Sequence, residues 1–118
     1  MKVVKAKNVK VEKSSGGIFI GTVEIASLVD SATGSKEFKA AIVTFPPGTK
    51  NRFHTHDGEQ ILYILNGKGI VATKDEERAV TVGDTVLIPA GELHWHGATT
   101  DSVFSHLYIT KAGTKTSF

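Results

Sequence analysis

The chain has 118 residues, 40% of them apolar and 22% charged, with 14 Lys and Arg against 12 Asp and Glu. That is the size of one domain, and a net charge of +2 is too small to draw it onto nucleic acid or an anionic membrane surface. The absence of cysteine excludes disulfides, thiolate-held zinc, iron–sulfur clusters and a thiol nucleophile.

Taken in chain order, the segments read as short strands, with no sustained helical periodicity. The stretch from Met1 to Lys7 has charge but no apolar run of the kind a secretory signal needs, so a cytoplasmic location is expected. No apolar run is long enough for a membrane helix. Phe19 to Val29 predicts one or two strands, and Asp30 to Lys36 a turn cluster. Phe38 to Phe45 predicts a strand stopped by Pro46 and Pro47. Gln60 to Leu65 and Ile70 to Thr73 predict two strands joined by a hairpin at Asn66-Gly67, because that dipeptide suits a turn needing positive φ. Ala79 to Val82, Thr85 to Ile88 and Ser102 to Thr110 complete the series, and Lys111 to Phe118 reads as a loose polar tail. Many short strands with Gly and Pro punctuation indicate an all-β sandwich or barrel, a single domain over residues 1–118.

All five histidines fall between positions 54 and 106, together with the chain's one glutamine, Gln60. His54 and His56 are two residues apart, so on a strand both imidazoles point to one face and can converge on one metal ion. Gln60 offers an amide oxygen as a further donor. His94 and His96 repeat the arrangement, and His106 shares a strand face with Phe104 and Tyr108. Trp95 should point away from its two histidine neighbours. Ala41, Val43 and Phe45 share a face, with Phe45 expected in the core, and Arg52 reads as a surface residue.

The spacing Gly48, five residues, His54-x-His56, three residues, Gln60, six residues, Gly67, followed by Gly83, five residues, Pro89-x-Gly91, two residues, His94, resembles the two motifs of the cupin superfamily. Gln60 stands where the first motif normally has Glu, and Ala98 where the second ends in Asn. Residues 38–110 carry the resemblance. The run Pro89-Ala90-Gly91-Glu92-Leu93-His94-Trp95-His96-Gly97-Ala98, with Ser105-His106-Leu107, further resembles single-domain cupins related to carboxymuconolactone decarboxylase-associated proteins and to bacterial cupin-type hydroxynitrile lyases. The resemblance implies a small antiparallel barrel of the double-stranded β-helix or jelly-roll type. It implies one divalent transition metal held by His54, His56, Gln60 and His94, manganese first, with iron, nickel, cobalt or zinc as alternatives. It leaves His96 and His106 as pocket histidines, and it places Ala41 and Val43 along the pocket.

In an extended chain Glu59 and Gln60 face opposite sides, so Glu59 is expected in solvent. Three imidazoles and an amide leave the ion's charge uncompensated, which strengthens it as a Lewis acid and attracts anions. His106 is the candidate general base and His96 its helper. The expected function is a metal-dependent lyase acting on a small carbonyl or hydroxy compound, of the hydroxynitrile lyase or another carbon–carbon bond type. A metal-dependent dioxygenase and a non-catalytic metal or small-ligand binding module are the alternatives. The expected partners are a small-molecule substrate and a second copy of the chain in a homodimer, without nucleic acid or membrane.

Overall fold

The computed structural model describes residues 1–118. A 3-10 turn at Ala6–Asn8 precedes eleven strands: β1 (Val11–Gly16), β2 (Phe19–Val29), β3 (Phe38–Phe45), β4 (Lys50–Asn51), β5 (Thr55–His56), β6 (Gln60–Ala72), β7 (Glu77–Thr81), β8 (Thr85–Ile88), β9 (Trp95–Ala98), β10 (Phe104–Lys111) and β11 (Thr116–Ser117). No helix is long and apolar enough to cross a membrane.

The antiparallel ladder runs β1-β2-β3-β10-β6-β9-β4, and β4 pairs back onto β2 through Phe19↔Asn51 and Ile20↔Lys50. That last pairing closes β2, β3, β10, β6, β9 and β4 into a barrel, as the all-β reading expects. Gly97 is what lets β4 approach β9 so closely. A Cβ there would lie 2.4 Å from Lys50 Cβ and 2.6 Å from Thr49 O.

β6 organises the fold. On one edge it pairs first with β10 and then with β9; on the other it pairs with β8 and then with β7. The hairpin expected at Asn66-Gly67 is not formed: one strand runs through it. A turn of that kind needs positive φ at both central residues, and only Gly67 has it, at 76°. The glycine instead pairs with Phe104 beside a bulge at Leu65, where the register with β10 slips between Ser105 and His106 and Leu65 and Asn66 are both exposed. The actual hairpin lies further on, where Thr73 N donates to Glu76 O between β6 and β7.

Two further segments depart from the expectation. Val11–Gly16, read without a strand, forms the edge strand β1, turned back on β2 by Gly16 and Gly17 at positive φ. The tail is not loose at Thr116–Ser117, which pairs with Thr55–His56. Inside the barrel, alternate residues pack as the strand period demands: Val43 and Phe45 from β3, Leu62 and Ile64 from β6, Phe104 from β10 and Val23 from β2. This apolar cluster forms the floor beneath the histidines.

Candidate metal centre and cavity

His54 and His94 form an isolated antiparallel bridge: His54 N donates to His94 O at 2.9 Å, and His94 N donates to His54 O at 3.1 Å. Directly paired residues place their side chains on the same side, so the two rings lie 4.3 Å apart. His56, two residues along from His54, brings its ring within 4.9 Å of His54 and 5.3 Å of His94. One ring nitrogen from each of the three lies within 4.8 Å of the others, close enough to hold one metal ion.

The outer nitrogens fix the tautomers. His54 Nδ1 donates to Arg52 O at 2.7 Å and His94 Nδ1 to Glu92 O at 2.8 Å, since a carbonyl can only accept. His56 Nδ1 lies 2.9 Å from Thr116 Oγ1. With Nδ1 donating, Nε2 of His54 and of His94 keeps a free lone pair, and His56 gains the same where Thr116 Oγ1 accepts; His56 Nε2 and His94 Nε2 are buried with no hydrogen-bond partner. Gln60 Oε1 is orphaned in the same way. Orphaned buried acceptors are costly, and a cation at their focus relieves that cost. The residues present therefore fit a divalent metal.

His54, His56 and Gln60 line a cavity of about 150 Å³. His94 instead lines a larger outer depression of about 410 Å³ that also holds Trp95, Glu92 and Arg78. The smaller space gathers the other four histidines and Gln60. His96 and His106 line it too, with rings 4.9 Å apart and nearly perpendicular. Both nitrogens of His106 are buried without a partner. Asn51 holds His96: its Oδ1 accepts from His96 N at 2.8 Å, and its Nδ2 lies 3.4 Å from the imidazole nitrogens.

Burial is the largest influence on every one of these imidazoles, and it lowers their pKa. His54 and His106 are brought down to about 4, His96 goes well below its ordinary value, and His56 and His94 are also lowered. All five are therefore neutral at pH 7, the form needed for ligation or for accepting a proton.

The remaining expectations separate cleanly. Glu59 and Arg52 are exposed. Trp95 is half-buried, with Lys50 Nζ over its ring at 4.7 Å. Val43 lines the cavity, whereas Ala41 is fully buried and does not; Phe45 is core and cavity wall at once, 5.7 Å from the His106 ring. Sequence reasoning missed Asn51, Thr116, Lys39 and Tyr108 as lining residues. The resemblance placed Val43 and His106, and the alternation that puts Lys39 on the face of Val43 and Tyr108 on the face of His106 could have found these two.

A protein named (R)-mandelonitrile lyase from Granulicella tundricola is 36% identical over 92 residues, spanning 77% of this chain and 70% of that protein. An oxalate-binding protein from Thermotoga maritima is 34% identical over 76 residues, 63% of each chain. The crystal structure of a cupin-like protein from Thermotoga maritima superposes with a TM-score of 0.83 at 32% identity, covering 90% of this chain and 82% of that one. The cupin domain pattern itself matches residues 41–110, from β3 to β10, and so takes in every histidine described above. By that match and by its relatives, the chain belongs to the cupin family.

Proposed function

We propose that the protein is a metal-dependent lyase that breaks or forms a carbon–carbon bond beside a hydroxyl-bearing carbon of a small molecule. The observation that carries this reading is the clustering of His54, His56 and His94 beside a cavity that Gln60, with its orphaned Oε1, and the unpartnered His106 also line. Kinship with a mandelonitrile lyase supports the reaction type.

A divalent transition metal at the three histidines and Gln60, manganese by proposal, supplies positive charge that polarises a hydroxyl or carbonyl oxygen. The chain's own residues do the rest. In the cleavage direction, a neutral His106 nitrogen takes the hydroxyl proton, the carbon–carbon bond breaks with its electron pair going to the leaving group, and a carbonyl forms. The resulting His106 imidazolium gives its proton to the leaving group. His96, held by Asn51, positions the reactants, while Val43 and Phe45 keep that side of the cavity apolar.

The test is release of cyanide and aldehyde from mandelonitrile by manganese-loaded protein, with His106→Ala as control. Turnover that falls at least about a hundredfold in His106→Ala, with metal content unchanged, is expected. Oxygen uptake in place of cyanide release would make the protein a dioxygenase. Silence in both assays, with metal bound, would make it a binding module.

A further inference from the structure

The pairing register lays out the inward faces of β3, β10 and β6 in rows. Val43, His106 and Ile64 form one row, and Lys39, Thr110 and Gln60 form another four residues along. Neighbouring strands are about 4.8 Å apart, so the Lys39 and Gln60 backbones are about 10 Å apart with Thr110 midway. All three line the cavity, and the row runs outward from buried Gln60 through buried Thr110 to exposed Lys39.

The lining contains no Asp or Glu. The structure has two ion pairs, Lys10–Glu12 and Arg78–Glu76, so Lys39 has no acidic partner. On the cavity side, then, no acidic group of the chain answers the Lys39 charge, which is met there by solvent alone. A carboxylate can answer both groups on this row, since an ammonium and a hydroxyl each donate to it.

We infer that Lys39 and Thr110 form a carboxylate subsite, and that the substrate is a small hydroxy or keto acid whose carboxylate lies on this row while its hydroxyl or carbonyl oxygen faces Gln60 and the histidines. The inference rests on the metal-site reading above and narrows its substrate class. Lys39 acts as a specificity residue rather than a catalytic one.

The experiment is calorimetric titration of 4-oxopentanoate and of its neutral amide, 4-oxopentanamide, into manganese-loaded wild type, Lys39→Met and Lys39→Arg. Wild type is expected to bind the acid about tenfold or more tightly than the amide. Lys39→Met should cut that ratio about fivefold or more while leaving the amide's affinity unchanged, and Lys39→Arg should keep it. An unchanged ratio in Lys39→Met, no preference in wild type, or no binding of either probe overturns the inference. Metal content is measured on the same samples. A wild type that holds no metal defeats the lyase reading, and the acid-to-amide ratio of that metal-free protein still reads Lys39 by itself.

Discussion

At the scale of single residues, what distinguishes the site is how its outer nitrogens are engaged. Two of the three clustered histidines are oriented by backbone carbonyls, which no side-chain substitution removes. The third, His56, depends on the hydroxyl of Thr116. Partners of this kind hold a ligand's tautomer and orientation, and their loss typically costs about 10- to 100-fold in metal affinity. Thr116→Val keeps the shape and removes the hydroxyl. It should weaken manganese binding by about that factor without unfolding the protein, as competition titration against a chelator would measure; unaltered affinity would mean that Thr116 does not orient His56. The pairs His54/His56 and His94/His96 were legible because a strand's period of two places alternate residues on one face. Thr116 was not, because nothing in a short polar tail marks a hydroxyl that acts 60 positions away.

Among the elements, β6 holds the least expected feature. Asn66-Gly67 carries a strong local turn signal, yet the chain continues, because a register set by β10, β9, β8 and β7 on both edges outweighs a dipeptide preference. Gly67 is required for two reasons. Its φ is 76°, and a Cβ there would fall 1.6 Å from Val103 O, a backbone atom that a side-chain rotation cannot move. Gly67→Ala should therefore destabilise by about 3 kcal/mol or more in urea unfolding, well above the cost of an ordinary surface change. A loss under about 1 kcal/mol would show that the bulge relaxes freely. β1 escaped the sequence reading because its residues, Val-Glu-Lys-Ser-Ser-Gly, have little apolar alternation, and its burial is correspondingly slight. As the edge of the ladder it offers unpaired backbone groups. We propose that two copies of the chain associate as a homodimer; light scattering should give twice the chain mass, and a monomer mass at micromolar concentration would refute this.

For the whole molecule, the all-β architecture was legible from strand-length segments and their punctuation, and the motif resemblance implied the barrel, whereas the residue pairs that close it were not legible. Closure rests on the two residue pairs between β2 and β4 and on the small size of Gly97, and no local pattern announces such distant contacts. The closed barrel buries five imidazoles together, which makes stability depend on pH. Each has a lower pKa folded than the 6.5 of an exposed histidine, so the unfolded chain binds more protons between those values. Stability contributed by the neutral histidines is then complete above pH 6.5 and is lost as pH falls toward about 4, where His54 and His106 take up protons in the folded state. The thermal midpoint of metal-free protein should drop steadily across this window. A midpoint that stays flat from pH 7 to pH 4 would contradict the burial of neutral imidazoles.

His54, His56, His94 and Gln60 are proposed to hold a divalent transition metal. Elemental analysis of purified protein, before and after incubation with manganese or iron, tests it most directly, with His54→Ala alongside. About one transition-metal ion per chain is expected in wild type, with a large loss in His54→Ala. Wild-type protein that takes up no transition metal under either condition would contradict it.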